Sequence, residues 1–325
     1  MKIVSVSDPI QKDMDGTPFP LVLQPQANED FTLADFQNWI SENSIELKEQ
    51  LKNHGAILFR NFPIQQPEDF EALIESGQFE AMPYVGGAAP RDKVTSKRVL
   101  TSNNSPSSEP IPFHHEMAQV PNPPAYIFFY CHTPAQQGGE TAILFSPRIY
   151  QRFRDIDADF ANHVEAHGVR YIRIMPPEDD PSSAIGRSWK STFLTDDPKE
   201  AEAKMQNAGT TWEWLDNGNL RTETATLPAI RTEPRTGQKT FFNSMVAAYT
   251  GWVDARNDPS KAVVCGDGSP MNREAILATA QAMDEECVNI NWRQGDMVWI
   301  DNSLVLHARR PFEGERRVLA SIAKS

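Results

Sequence analysis

Short runs of apolar, β-branched and aromatic residues recur along most of this chain, and they constrain its fold more than any other feature. They cover Ala56–Phe59, Ala125–Cys131, Thr141–Phe145, Val169–Ile174, Thr211–Leu215, Thr240–Phe242, Val288–Trp292, Met297–Ile300 and Arg317–Ala323. Each has the length of a strand and is too short for a stable helix. Two longer segments carry helical spacing. Thr32–Asn53 places Phe36, Ile40, Ile45, Leu47 and Leu51 near one side and runs into Gly55, a natural stop. Ser269-Pro270 has the residue types of an N-cap and first helical position, predicting a helix to about Glu286. Many short strands and few helices predict a mainly β fold, a double-stranded β-helix (jelly roll) with flanking helices.

Ala125–Cys131 is the longest strongly apolar run, far below the roughly 20 residues a membrane helix needs. With 31 basic and 44 acidic residues the net charge is −13, which argues against a phosphate-backbone binder. Neither a nucleic-acid nor a membrane partner is therefore expected. The three cysteines, Cys131, Cys265 and Cys287, are odd in number and far apart, which fits a reducing, cytoplasmic setting. Prolines outnumber glycines, 25 to 17, and no stretch has linker composition. One catalytic domain over residues 1–325 is expected, with the Pro-rich, charged segment 175–224 as a lid inserted into it.

The chemistry concentrates in Pro112-Phe-His-His-Glu-Met117. On an extended strand His114 and Glu116 leave from one face, and His115 from the other. His115 is expected to pack or support. An imidazole and a carboxylate on one face need a third ligand, and His307 is the candidate. Two histidines and one carboxylate with open positions opposite are the ligand set of non-haem iron(II) oxygenases. His132, His163 and His167 read as surface residues, and Trp212 and Trp214 as packing.

Three separated motifs resemble the iron(II)/2-oxoglutarate dioxygenases related to taurine dioxygenase and clavaminate synthase. They are His114-x-Glu116, Gly138-Gly-Glu-Thr141, and Asp301-Asn302 followed by His307 and Arg316-Arg317. The likeness runs from about Gly55 to the C-terminus. It looks closest to members that hydroxylate amino acids, some of them tethered to carrier proteins. The resemblance implies that His114, Glu116 and His307 hold iron(II), with 2-oxoglutarate and O₂ as co-substrates. It implies that Arg317 pairs with the distal carboxylate of 2-oxoglutarate, helped by Thr141. On the last strand Arg317, Leu319 and Ser321 share a face, so only one arginine of the pair enters the barrel. Arg317 is the expected one, with Arg316 the alternative.

Taurine dioxygenase holds its sulfonate with an arginine four residues beyond the 2-oxoglutarate arginine. Ser321 stands there in this chain, so a small sulfonate is not the expected substrate. Asn103, Asn104 and Arg309 are candidates for substrate contact beside Ser321. The function implied is hydroxylation of an unactivated C–H bond of an amino acid or carrier-bound aminoacyl group, releasing succinate and CO₂. Desaturation, epoxidation or ring closure would use the same cofactors. A non-catalytic metal-binding jelly roll is the reading from another class, and the intact Thr141 and arginine motifs speak against it.

Overall fold

Side-chain alternation along the strands decides the layering of this molecule. The computed structural model describes residues 2–26 and 31–324. A seven-stranded sheet runs in the order Ile3–Ser5, Leu21–Pro25, Ala56–Phe59, Met297–Asp301, Tyr126–Thr133, Arg317–Ala323, Leu100–Thr101. A four-stranded sheet faces it, in the order Val288–Ile290, Thr141–Phe145, Val305–Arg309, Ile111–His114. Between them lies one apolar core. Leu58, Ile127, Phe129, Val298, Val318, Ala320 and Ile322 come from the large sheet, and Ile143, Val288, Ile290 and Val305 from the small one. This is the expected jelly roll.

Both outer faces are covered. Phe36, Ile40, Leu47 and Leu51 join Phe70 and Leu73 against Phe59, Phe128, Trp299 and Leu319 of the large sheet. Ala142, Leu144, Leu306 and Ala308 of the small sheet pack on Ile149, Phe153, Met245 and Ile276 from helices Ser146–Ile156, Met245–Gly251 and Arg273–Glu286. Strands buried on both faces lose their alternation and read as continuous apolar runs.

The expected N-terminal helix is two, Leu33–Glu42 and Ser44–His54. Asn43 divides them, its amide donating to the Trp39 carbonyl at 2.8 Å, a local bond that competes with the helix ladder. Ile45, assigned above to the apolar stripe, is exposed. The later helix begins at Arg273, capped by the Asn272 side chain, while Pro270 sits in a bridge to Val264. Of Thr240–Phe242 only Thr240 is in a strand, paired through Lys239–Thr240.

Segment 175–224 has its own small core. Met175, Trp189, Ala201, Met205 and Leu220 pack with Phe193, Trp212 and Trp214. Trp189 meets Trp214 edge-on with centroids 5.1 Å apart, so these tryptophans pack as expected. No helix among the described residues is long and apolar enough to cross a membrane.

Candidate active site

Strand register brings the two distant histidines together. Val305–Arg309 pairs with Ile111–His114 so that His307 lies directly opposite His114. Their rings are 4.3 Å apart between centroids. Glu116 follows the end of its strand, in a turn rather than in the strand. Its place is set by Asn302, whose side chain accepts from the Glu116 N–H at 2.8 Å and donates to the Glu116 and Pro124 carbonyls at 3.1 and 2.7 Å. The Glu116 carboxylate then lies 3.4 Å from Nε2 of His307. One ligand atom from each of His114, Glu116 and His307 falls within 4.8 Å of the others.

The protonation states suit a cation. Nδ1 of His114 faces the Pro112 carbonyl at 2.8 Å, which fixes the tautomer and leaves Nε2 free for a metal. Burial, then the neighbouring His307, lowers His114 to about 4, so its imidazole is neutral near pH 7. Burial alone would raise the Glu116 carboxyl. The Arg91 charge and the His307 hydrogen bond outweigh it and hold the group well below the usual carboxylate range. Two imidazoles and one carboxylate fit iron(II).

His115 points away from the three. Its ring is fully buried, bonded to the Asn302 carbonyl at 2.6 Å and the Ser146 hydroxyl at 2.9 Å, and stacked on Phe242. The expected sidedness therefore holds, although a turn and not a strand supplies it.

Two adjoining clefts share His114 and Arg91. One, of about 440 Å³, is lined by Thr141, His307, Arg309, Arg316, Phe129 and Asn103 among others. The arginine that enters it is Arg316, and Arg317 is exposed. Val318, Ala320 and Ile322 form the inner face of the last strand, and Arg316 continues that series. Arg317 belongs with Leu319 and Ser321 on the opposite face, beyond a bulge between Arg317 and Val318. The expectation for Arg317 is corrected accordingly.

Arg316 donates to the Gly139 carbonyl at 2.8 Å and lies 3.4 Å from the Thr141 hydroxyl, which also accepts from Trp292 at 3.0 Å. Gly139 has φ +75°, and a Cβ there would come within 2.9 Å of the Arg316 side chain. The glycine pair thus makes room for the guanidinium. Burial, then Arg309, lowers Arg316 to about 10, so it stays charged at neutral pH. Trp292 had no signal in the sequence.

Ser321 is not at this site. It is fully buried on the helix side of the sheet and accepts from Arg98 at 3.0 Å. Counting four from Arg316 gives Ala320, an inner-face residue without a cation, so the exclusion of a sulfonate clamp survives at a different residue. Arg309 and Asn103 do reach the cleft, but they bond to each other at 2.8 Å. Asn104 turns to Asp92 at 2.9 Å and is not at the cleft.

The second cleft, about 630 Å³, adjoins the first at His114 and Arg91 and is also lined by Glu116. Tyr84, Ile111, Met117, Ile185, Ala247 and Trp252 supply much of its apolar wall.

Comparison with known proteins agrees with this architecture. The model of the "Taurine catabolism dioxygenase TauD, TfdA family" matches residues 16–322. The clavaminate synthase-like protein At3g21360 of Arabidopsis thaliana is 44% identical, covering 99% of this chain and 98% of the relative. The dapdiamide synthesis protein DdaC of Enterobacter agglomerans is 28% identical, covering 89% and 87%. Among solved structures, PvcB of Pseudomonas aeruginosa superposes with a TM-score of 0.54 at 17% identity, over 98% of this chain and 93% of that one. This chain belongs to the TauD/TfdA family and is a non-haem iron(II)- and 2-oxoglutarate-dependent dioxygenase.

Proposed function

We propose that the enzyme oxidises an unactivated C–H bond of a small amino-acid-derived substrate, by hydroxylation, in the cytoplasm. The substrate enters either free or as the acyl group of a carrier protein. The observation that carries this reading is the meeting of two clefts at His114 and Arg91, one carrying Arg309 and Arg316 and the other walled largely by apolar side chains. His114, Glu116 and His307 hold the iron. Arg316 and Thr141 hold the distal carboxylate of 2-oxoglutarate in the basic cleft, where the guanidinium offers paired donors. The bound iron supplies O₂ activation coupled to decarboxylation of 2-oxoglutarate to succinate. The protein's share is to place one C–H bond of the substrate beside the metal and to exclude water. The likeness to a dapdiamide synthesis protein supports an amino-acid-derived substrate.

Residues 1–325 act in this reading as one catalytic domain with 175–224 as its lid. Ala184 and Ile185 of that segment line the apolar cleft, which supports the assignment.

Two measurements test the proposal. Anaerobic addition of iron(II) and 2-oxoglutarate should produce the visible charge-transfer band of the chelate, and His307→Ala should abolish both the band and 2-oxoglutarate turnover. Mass spectrometry across free and carrier-bound amino-acid derivatives should then find a product one oxygen atom heavier. A normal band from the His307→Ala protein would refute the metal assignment.

A further inference from the structure

Arg91 is a buried cation with fewer partners than it has donors. Its Nη2 lies 3.1 and 3.0 Å from the two Glu116 oxygens, its guanidinium stands 4.2 Å over the Tyr84 ring, and its side chain is 5% exposed. Nε and Nη1 have no hydrogen-bond partner among the described residues. The residue lines both clefts and so stands where they meet.

The charges lining the two clefts are unequal. Arg91, Arg309 and Arg316 face them, and Glu116 is the sole carboxylate among the lining residues. Arg309 is occupied by the Asn103 side chain and the carbonyls of Ser105, Pro106 and Glu109. Arg316 has the carbonyl of Gly139 and the hydroxyl of Thr141. Only Arg91 draws its charge compensation from a residue that a metal also needs.

We infer that Arg91 binds a carboxylate of the substrate, and that this substrate carries no free ammonium group. The inference rests on the assignment of the clefts under Proposed function. Iron(II), the Glu116 carboxylate, the two carboxylates of 2-oxoglutarate and the Arg316 guanidinium together carry no net charge. Once Glu116 serves the metal, Arg91 remains as a buried charge without an anion of its own. Guanidinium does not deprotonate in proteins, and an unpaired buried charge is expensive. A substrate carboxylate meets that need, and the planar fork receives it through two parallel N–H donors.

The same lining argues against a zwitterion. An amino acid entering here would bury its ammonium beside Arg91 with no acid to receive it. The lid carboxylates do not help. Asp179 is bonded to the Ser188 N–H and the Ser191 hydroxyl, Asp180 to Arg256, and neither lines a cleft. The substrate class is therefore an apolar carboxylic acid, such as an amino acid acylated on nitrogen. A thioester formed through that carboxylate would also leave Arg91 unmatched.

The test uses the enzyme loaded anaerobically with iron(II) and 2-oxoglutarate. The probes are N-acetyl-leucine, its primary amide, free leucine, hexanoate and hexanamide, each titrated against the charge-transfer band. N-acetyl-leucine and hexanoate should perturb the band at concentrations at least tenfold lower than leucine or either amide. Arg91→Met should remove that preference, each titration being read as the fractional change in that variant's own band. Arg91→Gln, which keeps some hydrogen bonding, guards against misfolding and should give the same loss. Acids and amides perturbing the band alike, no response to either acid, leucine acting best, or retained preference in both variants would each overturn the inference. Failure of the unmutated enzyme to form the band would instead overturn the cleft assignment on which it stands.

Discussion

Arg316 and Arg317 are neighbours with the same chemistry and opposite environments, so they form a matched pair for experiment. Arg316 reaches Gly139 and Thr141 inside the basic cleft, and Arg317 is exposed at the strand's edge. Removing one partner of a buried charge pair costs on the order of 3 kcal/mol, more than a hundredfold in affinity. Arg316→Ala should raise the KM for 2-oxoglutarate by about that factor, whereas Arg317→Ala should leave it nearly unchanged. Steady-state kinetics in 2-oxoglutarate decide it, and the reverse ranking would place the co-substrate elsewhere. The sequence makes clear that one arginine enters and the other does not. It hides which one, because Val318, Leu319, Ala320, Ser321 and Ile322 are all buried. Where both faces of a strand are covered, period-two alternation disappears and the register has no marker. The division of His114, His115 and Glu116 between two sides is easier to read, since three consecutive polar residues next to an apolar run cannot all face one way, although only His114 lies in the strand itself. Arg91 lay beyond reach, because its importance comes from a pairing with Glu116 that no spacing encodes.

Among the elements, the turn after Ile111–His114 depends on Asn302. Its side chain serves the Glu116 N–H and two carbonyls, all in buried surroundings. Each buried group left without a partner costs about 1–3 kcal/mol. Asn302→Ala should therefore destabilise the fold by about 3 kcal/mol and weaken iron(II) binding by about 10–100-fold, the range seen when groups that orient metal ligands are removed. Calorimetry on the metal-free protein and a metal titration separate the two effects. Unchanged metal affinity would mean that the turn holds Glu116 without help. The segment proposed as a lid is the second such element. Its Trp-rich core includes side chains of strands Thr211–Trp214 and Leu220–Glu223, which pair onto Val169–Met175, while Ala184 and Ile185 bring the segment to the apolar cleft. Closure over substrate is the usual role of a loop that lines a cleft in this way. Limited proteolysis between residues 175 and 224 should slow when a true substrate is added to the enzyme loaded with iron(II) and 2-oxoglutarate. Cleavage insensitive to a turned-over substrate would remove the lid assignment. The strands were legible from their residue types. The break at Asn43 and the start at Arg273 were not, since both are set by one side-chain bond to the backbone.

At the scale of the whole molecule, the small sheet belongs to two cores at once. Ile143 and Val305 face the large sheet, while Ala142, Leu144, Leu306 and Ala308 face the helices on the other side. Neither core can open without exposing half the side chains of strands that the other core needs. Residues 1–325 should then unfold as one cooperative unit. The cysteines report on this directly, because they sit in different places. Cys131 is fully buried between the sheets, Cys265 is fully buried on the helix side of the small sheet, and Cys287 is buried at the end of helix Arg273–Glu286. All three thiols are free. Burial, then the nearby Asp296, pushes Cys131 up to about 12, and burial also raises Cys265 and Cys287. The thiolate is the reactive form, so the native protein should resist alkylation near neutral pH. With increasing urea all three should become reactive together, at the midpoint reported by tryptophan fluorescence. Coincidence of separate probes is the mark of a single transition. Peptide mass spectrometry of urea-pulsed samples assigns each thiol its own midpoint. If Cys265 reacts at clearly lower urea than Cys131, the helix-side layer unfolds before the barrel and the single-domain proposal fails. Equal midpoints would tie the two layers, with His114 and His307 on the sheet they share, into one folding unit.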